Sequence, residues 1–170
     1  MIREYRDNDR QAIDELQYQL QEYFSKIDET KESKTYKSLK KAHLYIEQMI
    51  KDAENMNGKI YVAEKDGNIV GFVQGVIIEH KLGEDPVFDL SHEPRKEGWI
   101  GLLFVEPTFR HFGLGKDLMN KIEEYFISQN CDCLRLLTLS SNNAVGFYKS
   151  CNFIPHDLEM VKKTIVLSHR

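Results

Sequence analysis

The chain has 170 residues with 41% hydrophobic and 29% charged side chains, a length and composition typical of one folded domain. Its net charge of -4 lacks the basic surplus with which proteins hold a nucleic acid backbone, and no apolar run approaches the ~20 residues of a membrane span. The first residues also lack the apolar segment of a secretory signal. We therefore expect a single cytoplasmic domain over residues 1–170, with no nucleic acid and no membrane among its partners.

The first half of the sequence predicts one strand, two helices and a β-hairpin. A short strand is expected at Ile2 to Arg6. Apolar residues then recur at helical spacing from Ile13 to Ile27 and again from Leu39 to Ala53. The composition next becomes rich in Val, Ile and Phe, and an Asp-Gly turn separates a strand at Ile60 to Glu64 from one at Ile69 to Ile78.

The second half predicts a loop followed by a parallel crossover. Glu79 to Gly98 holds two prolines and six acidic residues against three Lys or Arg, which indicates a loop at the mouth of a site. An apolar strand at Trp99 to Val105, an amphipathic helix at Gly113 to Gln129 and a strand at Leu134 to Leu139 have the order of a strand-helix-strand unit. A short helix follows over 144–151, and Phe153 to Leu167 is expected to complete the sheet.

The turn between that strand and helix is the first candidate site. From Val105 the chain passes through a proline turn and enters the helix at Gly113 and Gly115. A helix start offers unpaired N–H groups and the positive end of the macrodipole, which suit a phosphate or pyrophosphate. The glycines permit close approach of the anion, and Arg110 and Lys116 add positive charge. We therefore predict an anion site at this turn.

Two other phosphate-binding motifs do not fit this turn. A dinucleotide fingerprint needs a third glycine where Leu118 stands. A Walker-type loop needs a glycine at the position of Arg110 and Ser or Thr at the position of Asp117. Glycines that only shape the turn, without a ligand, remain an open alternative on this evidence.

A second motif follows at the right distance, between Ser141 and Phe153. The first motif is Arg110-x-x-Gly113-x-Gly115 after a strand ending Val-x-Pro, and the second is Asn143-Ala144-x-x-Phe147-Tyr148 followed by the pair Asn152-Phe153. Together the two motifs resemble those of the GCN5-related N-acetyltransferase (GNAT) family. The resemblance implies an α+β, GNAT-like (acyl-CoA N-acyltransferase) fold. Such a fold has a mixed, mostly antiparallel sheet flanked by helices, with central parallel strands that splay apart.

The resemblance also implies how acetyl-coenzyme A would bind. The cofactor would lie between the splayed strands, with its pantetheine arm along the end of the first strand and its pyrophosphate on the amides of the glycine turn. The implied residues are Leu103, Phe104 and Val105 for the arm, Arg110, His111, Phe112, Gly113, Leu114, Gly115 and Lys116 for the pyrophosphate, and Asn143 and Phe147 from the second motif.

Tyr148 is the implied catalytic residue, as the general acid for the departing thiolate. A phenol with a pKa near ~10 can donate a proton to a sulfur anion. Spacing alone favours a tyrosine of the core, because positions 144, 147 and 148 share the apolar stripe of the short helix. With the resemblance, we expect Tyr148 to be catalytic.

The general base has no clear candidate in the sequence. Many family members carry an acidic residue in the strand before the phosphate turn, where this chain has Gly101 and Leu102. An amine with a pKa near ~10 must lose a proton before it attacks. Residues in or beside the predicted loop could accept it, although a solvated loop residue is the simpler interpretation of each: Glu79, His80, His92 and Glu97.

Two smaller features bear on the site. Cys131, Cys133 and Cys151 lack the spacing of zinc ligands, so we interpret them as small hydrophobic residues and expect no metal. Asn152 stands where the family usually has glycine, a change that is tolerated because asparagine accepts a left-handed backbone.

These observations predict an N-acetyltransferase that moves acetyl from acetyl-coenzyme A directly to a primary amine of a small molecule or protein. The acidic predicted loop favours a cationic acceptor, such as a polyamine, an aminoglycoside-like compound or a protein amine. A non-catalytic coenzyme A sensor or interaction module, and a nucleotide-phosphate binder on the same helix start, are the alternatives. The sequence does not determine the oligomeric state, and a homodimer is possible.

Overall fold

A computed structural model of the chain describes residues 1–84, 90 and 92–162. These residues form five strands and four α-helices, with single turns of 3-10 helix at Asp7–Asp9 and Pro107–Phe109. In chain order the elements are β1 (Ile2–Glu4), α1 (Arg10–Ile27), α2 (Leu39–Asn55), β2 (Lys59–Lys65), β3 (Asn68–His80), β4 (Arg95–Val105), α3 (Leu114–Ser128), β5 (Cys133–Leu136) and α4 (Ala144–Ser150).

The strands form one sheet in the order β1-β2-β3-β4-β5. The pairs β1–β2, β2–β3 and β3–β4 are antiparallel, whereas β5 lies parallel to β4. Helix α3 makes the crossover between β4 and β5, as a parallel pair requires. The predicted α+β class and the mixed, mostly antiparallel sheet are therefore confirmed.

Two apolar clusters pack on opposite faces of the sheet. Successive strand residues point to opposite faces, so Val62 and Phe72 face the helices α1 and α2 while their neighbours Ala63 and Val73 face α3. Each fully buried side chain of this kind stabilises the fold by about 1.5–3 kcal/mol. The helices contribute Ile13, Leu16, Leu20, Ile46 and Met49 to the first face, and Leu118, Met119, Ile122 and Phe126 to the second.

The largest ring of the second cluster depends on a glycine in the sheet below it. Phe126 is fully buried, and a Cβ atom on Gly98 of β4 would stand 2.6 Å from its ring carbons. No side chain fits at that separation. Gly98 therefore lets α3 lie close to β4, which sets the position of the helix whose first turn carries the candidate site.

The predicted loop from Glu79 to Gly98 is wrong in its extent. β3 continues to His80 and β4 already begins at Arg95, with Glu79 opposite Lys96 in the register. The opposite charges across the two strands favour this pairing, and so does the backbone's need for hydrogen-bond partners. The connection covers only residues 81–94, of which 85–89 and 91 lie outside the described residues.

The strand predictions near the end of the chain are also corrected. β5 ends at Leu136 instead of Leu139, because its partner β4 diverges from it there. The stretch from Phe153 to residue 162 forms no strand, and its side chains at Ile154 and Leu158 are 83% and 77% exposed instead of packed on the sheet. The remainder of the predicted strand, 163–167, lies outside the described residues.

Candidate active site

The pairing between β4 and β5 stops at Ile100 and Leu136, and a cavity of about 170 Å³ opens beyond this point. We call it the β4–β5 cavity. The splayed parallel strands implied by the family resemblance are thus observed. The walls are formed by Ile100, Gly101, Leu102 and Leu103 of β4, by Leu136, Leu137 and Thr138 at the end of β5, and by Leu20, Phe24, Tyr45 and Tyr148.

The backbone of β4 turns alternate residues toward this opening. The N–H of Glu106 donates to the carbonyl of Val70 at 2.9 Å, so the strand faces β3 at that position. Backbone N–H and C=O groups point to alternate sides along a strand. Those of Phe104 therefore also point toward β3, whereas those of Leu103 and Val105 point to the opposite side. The backbone N–H and C=O groups of Leu103 and Val105 are therefore the ones on the β5 side.

The turn from β4 into α3 presents a row of backbone N–H groups. The first helical hydrogen bond runs from Asp117 to the carbonyl of Gly113 at 3.0 Å. None of the N–H groups from His111 to Lys116 donates to a described residue. His111 and Gly113 have φ angles of 68° and 85°, so the chain passes through left-handed conformations before the helix begins. A helix start with unpaired N–H groups of this kind suits an anion, and the binding of a pyrophosphate there stays a prediction.

The two sequence motifs meet beneath this turn. A Cβ atom on Gly115 would lie 3.6 Å from the ring of Phe147, which is ordinary van der Waals contact. Phe147 belongs to α4 and packs at the edge of the apolar cluster between the sheet and α3. Phe147 therefore packs against the first turn of α3.

Tyr148 stands in the wall of the β4–β5 cavity. Its ring is held edge-on by Phe147 and Phe153, with centroids 5.4 and 6.2 Å away. The hydroxyl forms no hydrogen bond with any residue of the described ranges. Burial raises the pKa of Tyr148 to about 12, with smaller contributions from Cys151 and Tyr23. The phenol is therefore protonated at neutral pH and can donate into the cavity.

Asn142 is an ordered asparagine of the site that sequence reasoning missed. Its Oδ1 accepts from the Tyr23 hydroxyl at 3.1 Å and from the N–H of Ala144 at 2.9 Å, and its Nδ2 donates to Thr138 at 2.7 Å. Asn143 is exposed and its side chain has no hydrogen bond to the described residues. The contact of Asn143 with a cofactor stays a prediction.

Arg110 joins α1 to the end of β4. Its guanidinium carbon lies 5.8 Å from the ring centre of Tyr23 and 5.4 Å from that of Phe104, and its Nε donates to the carbonyl of Val105 at 2.9 Å. The side chain is thus engaged in structure at the entrance of the glycine turn. Nothing in the apolar spacing of α1 identifies Tyr23 as part of this arrangement, because its partners are distant in sequence.

Glu97 is buried, which corrects its interpretation as a solvated loop residue. Its carboxylate is 2% exposed and accepts hydrogen bonds from Arg95, from Trp99 at 2.8 Å and from Arg135 at 2.9 Å. Burial alone would raise the pKa of Glu97, but these hydrogen bonds and the two Arg charges outweigh it and hold the pKa below its usual value. A carboxylate so held ties β4 to β5 and is a poor base.

We expect Glu97→Gln to destabilise the fold by about 1.5–3 kcal/mol, because it removes the charge that two arginines share. The pKa of Glu97 in the folded protein lies below that of an unfolded glutamate, ~4.3. The carboxylate therefore contributes fully to the free energy of unfolding above pH ~4.3, and this contribution is lost as the pH falls through the pKa of the folded state. The difference in free energy of unfolding in urea between wild type and variant should therefore shrink as the pH falls below about 4. Exposed Glu93→Gln is the control, and a constant difference across this range would contradict the assignment.

The other residues considered as bases also lie away from the cavity. Glu79 pairs with Lys81 at 3.3 Å and Lys96 at 3.5 Å, and the hydrogen bond from Lys81 holds the pKa of Glu79 below its usual value. His80 approaches the buried carboxylate of β4, and His92 is exposed. As far as the chain is described, none of these three lines the β4–β5 cavity.

A second cavity, of about 240 Å³, adjoins the first on the side of α2. We call it the α2 cavity. The two share Tyr45, Gly101 and Leu102 as lining residues and therefore lie next to each other. The remaining walls of the α2 cavity are formed by Gln48, Met49 and Asp52 of α2, by Met56 directly after this helix, and by Gln74 and Val76 of β3.

Three further expectations concern metals, cysteines and the glycine of the family pattern. Among the described residues no three His, Cys, Asp or Glu side chains converge as a metal site requires, and none of the described helices is long and apolar enough to cross a membrane. Cys131, Cys133 and Cys151 are half-buried free thiols. Asn152 adopts the expected left-handed backbone, with φ of 65°.

Comparison with known proteins agrees with this geometry. The model of the acetyltransferase (GNAT) family matches residues 14–153. Similar solved structures include a mutant of the BH1408 protein from Bacillus halodurans, with 19% identity, 97% of this chain and 99% of that chain covered, and a TM-score of 0.83. Glucosamine-6-phosphate N-acetyltransferase from Arabidopsis thaliana has 20% identity, 96% and 97% coverage and a TM-score of 0.65. An acetyltransferase from Trypanosoma brucei has 21% identity, 96% and 99% coverage and a TM-score of 0.64.

Proposed function

The chain belongs to the acetyltransferase (GNAT) family, and from that premise we propose that it transfers acetyl from acetyl-coenzyme A directly to a primary amine of a small molecule or protein. Acetyl transfer is the chemistry of the family, whereas the amine acceptor is the part proposed. The observation that carries the proposal is the opening between β4 and β5, which has a protonated phenol in its wall and a row of unpaired amides at the adjoining turn.

The described residues fit the donor at both ends of this opening. Amides from His111 to Lys116 can hold a diphosphate, because they point outward without partners and lie at the positive end of α3. Leu103 and Val105 offer strand-like backbone groups to an extended amide-containing arm. The carbonyl of Val105 already accepts from Arg110, so Leu103 is the stronger candidate of the two. Coenzyme A would supply the activated thioester.

Tyr148 would stabilise the departing sulfur. As the amine nitrogen bonds to the acetyl carbon, the carbon–sulfur bond breaks and the sulfur gains negative charge that the phenol can meet with a hydrogen bond. A phenol with a pKa of about 12 gives up its proton less readily than a thiol with a pKa of about 8.5. Tyr148 would therefore act first as a hydrogen-bond donor, and solvent would return any proton that it releases.

The proton of the amine would leave by another route. Glu97 is held by two arginines and a tryptophan, and Glu79, His80 and His92 do not line either cavity within the described ranges. The α2 cavity has the Asp52 carboxylate in its wall, and we assign the proton of the amine to water in this cavity. Positioning of the neutral amine next to the thioester can supply much of the rate enhancement without a dedicated carboxylate.

A thiol-release assay with acetyl-coenzyme A and a panel of amines tests this function. We expect thiol release that depends on a primary amine and yields the acetylated amine by mass spectrometry. Tight binding of acetyl-coenzyme A with no release for any amine would instead support the sensor or interaction module. Calorimetry with ATP and NAD as competing ligands addresses the third alternative, and preference for either over acetyl-coenzyme A would contradict the proposal.

A further inference from the structure

The α2 cavity has one carboxylate in an otherwise mostly apolar wall. Met49, Met56 and Val76 supply apolar surface, and Asp52 supplies a negative charge. Oδ1 of Asp52 accepts a hydrogen bond from Gln48 at 2.7 Å, and over the described ranges Asp52 forms no ion pair. No described lysine or arginine lines the cavity. The wall therefore carries a negative charge that a cationic ligand would neutralise.

A polar side chain without a protein partner lines the same cavity. Gln74 is 4% exposed and forms no hydrogen bond with a described residue, but its amide atoms are not fully enclosed, because among the described residues only Oε1 of Gln17 is a buried side-chain atom without a partner. The Gln74 amide can therefore form hydrogen bonds with water or with a ligand in the cavity. A Cβ atom on Gly101 would collide with Oε1 of Gln74. The absent side chain at 101 thus leaves the space that the Gln74 amide occupies, next to the β4–β5 cavity.

Asp52 and Gln74 line the α2 cavity from two different elements, α2 and β3. Tyr45 lines both cavities, whereas Asp52 lines only the α2 cavity. Asp52 follows Tyr45 by seven positions in α2, which is about 10 Å along the helix axis at 1.5 Å per residue. Gln74 pairs with Leu102, a residue shared by the two cavities. An elongated ligand would therefore meet Gln74 near the thioester side and Asp52 far from it.

We infer that the acceptor is a linear diamine or polyamine, with Asp52 binding its distal ammonium and Gln74 positioning the reacting amine beside Gly101. The methylene chain packs on Met49, Met56 and Val76, which accept apolar surface but offer no hydrogen bonds. Oε1 of Gln74 accepts from the neutral reacting amine and aims its lone pair at the β4–β5 cavity. This inference rests on the proposed acetyl transfer and adds the class of acceptor.

Steady-state kinetics with two matched acceptors tests the role of Asp52. Pentane-1,5-diamine and pentylamine have the same chain, and they differ in the distal ammonium. We expect wild type to favour the diamine in kcat/KM by about 10- to 100-fold, the size of one charge-assisted hydrogen bond. Asp52→Asn should raise KM for the diamine by the same factor and leave pentylamine unchanged. Salt should raise KM for the diamine in wild type and not in Asp52→Asn.

Two further variants keep the test specific. Glu54→Gln removes an exposed carboxylate from the same helix without touching the cavity, and it should behave as wild type. Gln74→Met should lower kcat for the diamine and the monoamine alike, because the Gln74 amide positions the reacting amine that both acceptors have. Melting temperatures of all variants establish that they are folded.

The outcomes separate this inference from the function on which it rests. Equal use of pentylamine and diamine by wild type would overturn the inference while acetyl transfer stands. An equal loss of kcat for both acceptors in Asp52→Asn would also overturn it, since that result assigns Asp52 to proton removal. If neither these nor any other amine of the panel releases thiol, the proposed function fails and the inference falls with it.

Discussion

Tyr148→Phe is expected to lower kcat by at least about 100-fold, the lower end of what a positioned proton donor contributes. The variant keeps the ring that packs on Phe147 and Phe153 and removes the hydroxyl that faces the β4–β5 cavity. Stopped-flow thiol release gives the rate, and calorimetry with acetyl-coenzyme A should give an unchanged Kd. Turnover should show no titration of Tyr148 near neutral pH, because its pKa is raised to about 12.

Tyr125→Phe is the matched control for that experiment. Its hydroxyl donates to the carbonyl of Asn57 at 2.7 Å, away from both cavities. Its loss should cost about 1 kcal/mol of stability and leave kcat as in wild type. Full turnover by Tyr148→Phe would show that the sulfur leaves without this phenol and would remove Tyr148 from the mechanism.

Gly115→Glu is expected to weaken acetyl-coenzyme A binding by at least about 100-fold, because loss of two charge-assisted hydrogen bonds costs about 1.5–3 kcal/mol each. The new carboxylate would compete with the pyrophosphate for the amides between His111 and Lys116 and repel it. An acid in the first turn of a helix is favourable for the helix itself. Calorimetry should therefore show lost binding while the melting temperature is maintained.

Gly115→Ala distinguishes charge from size at this position. Its Cβ atom would meet Phe147 at 3.6 Å without a clash, so binding should stay close to that of wild type. Unaltered acetyl-coenzyme A affinity in Gly115→Glu would place the diphosphate elsewhere and contradict the anion site at α3. A fall in melting temperature for both variants would instead indicate that Gly115 serves packing alone.

Local sequence signals predicted the elements that carry their own pattern. The helices α1, α2 and α3 have apolar stripes at helical spacing, and their positions agree with the structure to within a few residues. The glycine turn was identified because glycine and proline mark it directly, and the family match confirms the resemblance. The limits of the domain, its cytoplasmic location and the roles of the site residues stay predictions.

Pairings between distant residues could not be predicted in this way. The charged segment around Glu97 has the composition of a loop. Its burial depends in part on Arg135, which β5 brings alongside to join the hydrogen bonds from Arg95 and Trp99. The sequence does not show which of the adjacent residues Asn142 and Asn143 is held in place by the fold. The structure shows that it is Asn142, because its side chain accepts a hydrogen bond from the distant hydroxyl of Tyr23. The amide of Gln74 acquires its position from the missing side chain of Gly101 on a neighbouring strand.

The hydrogen bond between Tyr23 and Asn142 joins positions 119 apart in sequence. Forming this contact early in folding would cost the entropy of closing the long intervening chain. That cost is compensated only when the strands within this chain segment have paired. We therefore expect the corner that holds Tyr148 to be assembled after β2, β3 and β4 have associated. During synthesis, the emerging chain would then have these strands before it has the proposed donor site, and we expect a partly made molecule to bind no donor.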